Sequence, residues 1–293
     1  MTAQHIDPVQ TKAGQRQDWD RAANGWRKWW ETMERGAQHV SDRLVELAEI
    51  GPGHRVLDVA TGIGEPAVTA ARRVGPAGRV IATDQSLEML AIARERATGL
   101  GLDNIDFREM DAEALDLPES SFDAVLSRWG LMFLPDVATA LDTIRRLLVP
   151  DGKFAAAVWE APPKVPMVSL AMRVIQEMFQ LPPLPLIAPS PFSLSAPGVV
   201  EQAFTQAGFA EVRSESLTVA FESTSVEAYT DFLHDIAPPV NALLASQPVE
   251  RQAEAWKAIS EAARAYAAPD GTVRMPNETI CVSGRRPAQQ PRA

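Results

Sequence analysis

An alternation beginning at residue 54 constrains this chain more than any other feature. Short β-branched runs at 54–60, 79–83, 104–110, 122–127 and 153–159 are separated by helical stretches at 65–74, 86–99 and 136–149. Each helical stretch is long enough to cross over between parallel strands, and such crossovers keep one hand. The pattern therefore predicts α/β architecture, a mostly parallel sheet wound with helices on both faces.

The flanking segments read differently. Residues 18–49 predict a helical lead-in, with Ser41 as the cap of its last part and Gly51-Pro52-Gly53 as its stop. The stretch 161–197 holds nine of the 23 prolines around a helical piece at 167–180. Proline removes a backbone donor and fixes φ, which excludes a central strand and favours a semi-rigid connection. A helix at 197–208 and a strand at 210–221 follow. Two or three helices over 225–268 come next, broken at Pro238-Pro239 and Pro248, then a last strand at 278–285. The expected organisation is a helical lid (1–50), a ligand-binding core (51–160), a Pro-rich insertion (161–197), core again (198–224), a helical cap (225–270), and a last strand with a tail (271–293).

The most informative string is VLDVATGIGEPAVTAA, residues 56–71. An apolar strand runs into a turn at Gly62 and Gly64 and then into a helix tolerant of Pro66 in its first turn. Backbone N–H groups at such a junction face a ligand. As a string, Gly62-x-Gly64-x-x-Ala67 matches a dinucleotide fingerprint, and Asp84, 20 residues beyond Gly64, ends the second strand where a ribose is held. A nicotinamide cofactor and S-adenosylmethionine compete on this evidence. Asp58 inside the strand stands where a dinucleotide site usually has an apolar residue; its carboxylate is placed to orient the loop and attract an ammonium group. Asp111, after the third strand, is placed to accept from an adenine amino group, and the fourth strand ends in polar Ser127 and Arg128 at the sheet's carboxyl edge.

The strings VLDVATGIG, ATDQSLEML, MDAEALDLPESSFDAVLS, GLMFLPD and LLVPDGKF, in that order, resemble the class I S-adenosylmethionine-dependent methyltransferases. Within them the chain is similar to the ubiquinone/menaquinone-biosynthesis C-methyltransferase group, over roughly residues 40–160. The implied fold is a doubly wound, mostly parallel, seven-stranded Rossmann-like sheet with helical cap insertions. The implied cofactor is S-adenosyl-L-methionine, with its methionine part against Ala60, Thr61, Gly62 and Gly64 and its ribose on Asp84. The adenine would lie between Gln85 or Met89 and the Asp111–Ala112 turn, and Ser127 and Arg128 would border the sulfonium. Asp58 would act through a water or by holding the loop. Ala60 departs from the family's D-x-G-x-G-x-G pattern, restricting the turn without removing its N–H groups. The implied reaction is in-line methyl transfer to a small, largely apolar acceptor, with O, C, N and S nucleophiles all open. An NAD-dependent oxidoreductase and a catalytically silent, regulatory S-adenosylmethionine-binding protein remain as alternatives.

No proton acceptor is singled out. His39, His234 and Tyr229 are the candidates, each with a packing or solvent role at least as well motivated, while Arg128 is a candidate catalytic residue only as a neighbour of the sulfonium; His5 and His54 belong to a tail and a surface. No Ser–His–acid set and no Cys/His cluster appears, so no metal is expected. Of the seven tryptophans, Trp19, Trp26, Trp29 and Trp30 fall within one short segment. Trp26 and Trp30 share a helical face and are expected, with Arg128, at the acceptor pocket, together with the Pro-rich insertion and the cap. The apolar stripe through Phe232, Leu233, Ile236, Val240, Leu243, Leu244, Trp256 and Ile259 suits core or a homodimer contact.

Lys+Arg 28 against Asp+Glu 38, a net charge of −10, argue against nucleic acid as a partner and for a neutral or cationic acceptor. Cys281 is the sole cysteine, so no internal disulfide forms. With no leader-like start and no long apolar run, the expectations are a cytoplasmic location and no membrane span.

Overall fold

The structure, a computed structural model, describes residues 8–182 and 189–288; His5, residues 183–188 of the Pro-rich stretch and the end of the tail lie outside them. The strands are β1 (Arg55–Val59), β2 (Arg79–Asp84), β3 (Ile105–Glu109), β4 (Phe122–Arg128), β5 (Leu148–Trp159), β6 (Ala210–Ser223) and β7 (Val273–Arg285). They form one seven-stranded sheet in the order β3-β2-β1-β4-β5-β7-β6. The first five strands pair in parallel, and β7 runs antiparallel between β5 and β6. The sheet is thus mostly parallel and doubly wound, as the alternation predicts.

In chain order the helices are α1 (Pro8–Leu47), α2 (Ala67–Val74), α3 (Leu87–Gly99), α4 (Val137–Leu147), α5 (Pro166–Phe179), α6 (Val199–Gln206), α7 (Val226–Ile236), α8 (Pro238–Ala245) and α9 (Val249–Ala263). α3 and α4 begin on side-chain caps: Ser86 accepts from Met89 N–H and Asp136 from Thr139 N–H. The central strands are buried along nearly their whole length, as covered parallel strands must be.

Three local expectations are corrected. Residues 8–47 form one 40-residue helix, and Ser41 lies fully buried in its interior, its hydroxyl accepting from Arg128 Nη1 at 2.7 Å instead of capping an end. Gly25 sits inside that helix where α1 crosses α7; a Cβ there would lie 2.1 Å from the Asp235 carbonyl oxygen, so packing outweighs its poor helix propensity. The turn expected at Pro150-Asp151-Gly152 is absorbed into β5 as an irregularity, with pairing to β4 resuming at Ala124↔Lys153. Finally, β7 starts at Val273 rather than 278: Pro276 lies beyond the last β5 pair, Trp159↔Thr279, where β7 has only β6 as a neighbour.

The apolar stripe of the 225–268 region turns inward. Phe232, Leu233, Ile236, Val240, Leu244 and Ile259 are buried, and Leu243 and Trp256 pack partly against them. The large exposed apolar side chains among the described residues are Leu87, Leu100 and Val249, none of them in the stripe. The stripe is therefore used inside the molecule, which removes the observation that suggested a homodimer.

Candidate functional site

Strand order reverses between β1 and β4, and an open α/β sheet has its crevice at the carboxyl ends of the strands flanking such a reversal. Register fixes what meets there. Val59 pairs with Thr83 and Asp58 with Leu126, so Ala60, Asp84 and Arg128 come level at one edge. A pocket opens above them. Its floor is Ala60–Ile63, Asp84, Gln85, Met110–Ala112 and Arg128–Gly130, and its roof comes from α1, α5, Pro191, α7 and the start of α8.

On the loop side the geometry is polar and mostly backbone. Asp84 accepts from Gly62 N–H at 2.8 Å with one carboxylate oxygen and from Ser86 N–H at 2.9 Å with the other. Burial holds its carboxyl above the usual range, although those N–H groups draw it down. Asp58 is fully buried beneath the loop and does not line the pocket; its Oδ2 accepts from Ala67 N–H at 2.9 Å, tying β1 to the start of α2. Burial pushes its carboxyl up to about 7. Ala60 has φ +59°, the left-handed region, and its methyl faces Gly130, where a Cβ would lie 2.5 Å away. Gly130 is thus required by close approach, and Ala60 carries the strain that glycine would avoid there.

The opposite side is aromatic. Trp129 also has φ +59°, an outlier for so bulky a residue. It is held by stacking on Trp159 at 4.3 Å between ring centroids and by its Nε1–H donating to Thr279 Oγ1. Trp26, Trp19 and Phe133 continue the wall, with Trp19 edge-on to both others. Above the loop side, α1 is strapped down by polar contacts. Lys12 pairs with Asp111 at 2.7 Å and with Glu113, Arg16 pairs with Glu109, Ser86 donates to Asp20, and Arg27 pairs with Glu95.

The residues singled out in the sequence divide accordingly. Ala60, Thr61, Gly62, Asp84, Gln85, Met89, Asp111, Ala112, Arg128 and Trp26 line the pocket. Gly64 and Ser127 do not; Ser127 is wholly buried behind the edge. Trp30 is not in the pocket either: its ring lies under the Arg96 guanidinium, 4.8 Å away, because α1 presents that position to α3. The histidine and tyrosine candidates are elsewhere. His39 is exposed and donates from Nε2 to the Thr218 carbonyl, and exposed His234 sits edge-on to Trp256. Tyr229 donates to the Met167 carbonyl from a buried position that pushes its phenol further up. Arg128 turns toward α1, reaching Ser41, the Ala37 carbonyl and, at 3.5 Å, Glu34.

Sequence reasoning passed over Lys12, Glu65, Trp129, Phe133 and Trp159, all of which line the pocket. Glu65 had a signal, an acid inside the glycine loop itself. The others are brought in by register and by α1, which no local string encodes. Among the described residues there is no cluster of His, Cys, Asp and Glu fit to hold a metal ion, and no helix is long and apolar enough to cross a membrane.

The residues fit a polar ligand at the loop. Trp26 Nε1 lines the pocket buried without a hydrogen-bond partner, and the Thr61 hydroxyl, also in the lining, has only the Asp58 carboxylate beneath it.

Comparison with known proteins agrees with this geometry. Residues 56–152 match a family described as a methyltransferase domain. The chain is 39% identical over 110 residues to the ubiquinone/menaquinone biosynthesis C-methyltransferase UbiE of Hydrogenovibrio crunogenus, covering 37% of this chain and 43% of that protein. The chain spans less than half the length of this and other curated relatives it matches. Among solved structures, a putative methyltransferase from Bacillus halodurans aligns over 85% of this chain and 99% of its own, with TM-score 0.55 at 19% identity. The [4+2]-cyclase SpnF aligns over 87% and 82%, with TM-score 0.53 at 21% identity. The chain therefore shares the fold of these structures and, over residues 56–152, is similar to methyltransferase domains, UbiE among them.

Proposed function

We propose that this chain is an S-adenosylmethionine-dependent methyltransferase acting on a small, largely apolar acceptor. The observation that carries the reading is a single pocket with two unlike walls. One wall is a glycine loop anchored by the carboxylate ending β2, and the other is an aromatic surface drawn from α1, β4 and β5. When bound, S-adenosylmethionine supplies an electrophilic methyl group on a sulfonium.

The chain's part is to hold, align and dry the partners. Asp84 faces the ribose, the Ala60–Gly62 backbone the amino-acid end, and Gln85, Met89, Asp111 and Ala112 the adenine. Trp26, Trp129 and Phe133 receive the acceptor. Lys12 would give up Asp111 or share it with the adenine amino group. The described lining contains no histidine, tyrosine or cysteine, so the reading favours an acceptor whose nucleophile is already acidic, such as a phenol, enol or thiol. Lys12 and Arg128 both have acidic neighbours, which favours a neutral or cationic acceptor over an anionic one.

Calorimetry with S-adenosylhomocysteine and, separately, with NAD tests the cofactor; binding of NAD alone would sink the reading. Because the same fold serves a [4+2]-cyclase, turnover is tested independently. Phenols, quinols and thiols are incubated with S-adenosylmethionine, and products are screened by mass for the gain of one methylene. Tight S-adenosylhomocysteine binding without methylation of any acceptor would favour the silent, regulatory alternative.

A further inference from the structure

The binding of the cofactor's amino-acid end raises a question of charge. That end is a zwitterion, and its ammonium brings three donors and a positive charge to the β1–α2 loop. Asp58, the acid the sequence offers for it, is sealed beneath the loop and bonded to Ala67 N–H. A second carboxylate is exposed to the pocket at the same level. Glu65 lines the pocket beside the loop, is only 4% exposed, and accepts one hydrogen bond, from Thr69 Oγ1 to Oε2 at 2.7 Å. Among the described residues no Lys, Arg or His nitrogen lies within ion-pair distance of it. Arg128 and Arg96 act on it from further away while holding Glu34, and Glu34 itself repels it.

A buried carboxylate without a contacting cation is costly unless a charged partner arrives. We infer that the Glu65 carboxylate is the receptor for the α-ammonium of the cofactor's amino-acid end. The inference rests on the proposed S-adenosylmethionine site and adds to it a residue that reads the amino acid rather than the nucleoside. Its free oxygen would accept a hydrogen bond from one ammonium N–H, while Thr69 donates to the other oxygen and fixes the carboxylate plane. Arg128 and Arg96 remain with Glu34, the incoming ammonium contacts Glu65, and the zwitterion's own carboxylate offsets the charge that the ammonium adds. The sulfonium does not suit this role, having no N–H to donate.

The test compares ligands that differ only at this end. Calorimetry measures S-adenosylhomocysteine, its analogue lacking the amino group, and 5′-methylthioadenosine, which lacks the whole amino acid, on wild type and Glu65→Gln. Loss of a charged hydrogen bond predicts S-adenosylhomocysteine binding about 10- to 100-fold weaker in Glu65→Gln. Methylthioadenosine should bind wild type and variant alike, and the variant should no longer distinguish S-adenosylhomocysteine from the deaminated analogue. Without ligand, Glu65→Gln should melt at or above the wild-type temperature, because it removes a buried unpaired charge. Equal weakening of S-adenosylhomocysteine and methylthioadenosine would mean a collapsed loop and overturn the assignment, as would unchanged affinity for both. Wild type that binds none of the three would instead overturn the cofactor reading itself.

Discussion

The two walls of the pocket are built on different principles. The loop wall comes from three short segments, residues 60–65, 84–89 and 110–112, and works through backbone N–H groups, small residues and carboxylates at strand ends. The aromatic wall is assembled from distant segments, Trp26 on α1, Trp129 at the end of β4, Phe133 just beyond it and Trp159 at the end of β5, and works through large faces. A ligand shared by a whole fold class can be held by main-chain geometry, which is insensitive to side-chain change. An acceptor particular to one chain needs side chains, and these vary freely on such a scaffold.

If the walls are separate in function, substitutions in each should show different readouts. The largest effect is expected on the loop wall. Asp84→Ala should weaken S-adenosylhomocysteine by about 1–3 kcal/mol, the usual worth of a hydrogen bond to a charged group, and an unchanged dissociation constant would break the comparison at its firmer end. Gly130→Ala acts where the walls meet. Its new methyl would press on Ala60 Cβ and lie 2.9 Å from Ser127 Oγ, so a loss of about 2 kcal/mol in chemical denaturation is expected, together with weaker ligand binding.

Trp26→Ala acts chiefly on the aromatic wall, the ring's contact with the loop side being apolar, against the cluster of Ile63 and Met89. It should leave S-adenosylhomocysteine affinity within about threefold of wild type and raise the acceptor's KM or lower kcat by about tenfold or more. Equal losses in both would show that α1 serves the cofactor as much as the acceptor. A pH experiment sharpens the role of Asp58, which supports the loop from below. With its carboxyl at about 7 in the folded chain against 3.8 for an ordinary Asp, the fold keeps a proton that the unfolded chain has released. Stability should therefore fall as pH rises between those values and level off above, and Asp58→Asn should flatten that slope in melting curves taken from pH 5 to 8.

The smallest effect is expected at Ala60. Glycine would relieve its left-handed φ, and after glycine's entropic cost a gain of about 0.5–1 kcal/mol remains, measured by denaturation. A loss would mean that the contact of the Ala60 methyl with Gly130 matters more than the strain.

Much of this was legible in the chain. The alternation of β-branched and helical segments predicts the parallel sheet because strand and crossover lengths leave few other arrangements. The run Asp58–Gly64 followed by Asp84 locates the loop because a tight turn and a helix start are adjacent in sequence and one parallel crossover brings the acid at the next strand end beside them. Trp30 shows where such reasoning stops. It shares a helical face with Trp26, yet a helix of 40 residues crosses several neighbours, and Trp30 meets Arg96 of α3 while Trp29 turns to Phe232 and Asp235 of α7. Ser41 is a second case: its residue type suits a cap, but the buried Arg128 guanidinium turns it into a partner in a helix interior.

The sequence by itself therefore determined the sheet, the crossovers and the loop wall, since each depends on neighbouring strands joined by a single crossover and on periodicities that a single strand or helix imposes. Tertiary structure alone decided the aromatic wall, the path of α1 over the pocket, the left-handed turn at Trp129, and the exposure of Glu65 to the pocket while Asp58 lies sealed beneath. These depend on which segments come level at the sheet edge and on the close approach of α1 to its neighbours, quantities set by register and packing across separations that no local pattern records.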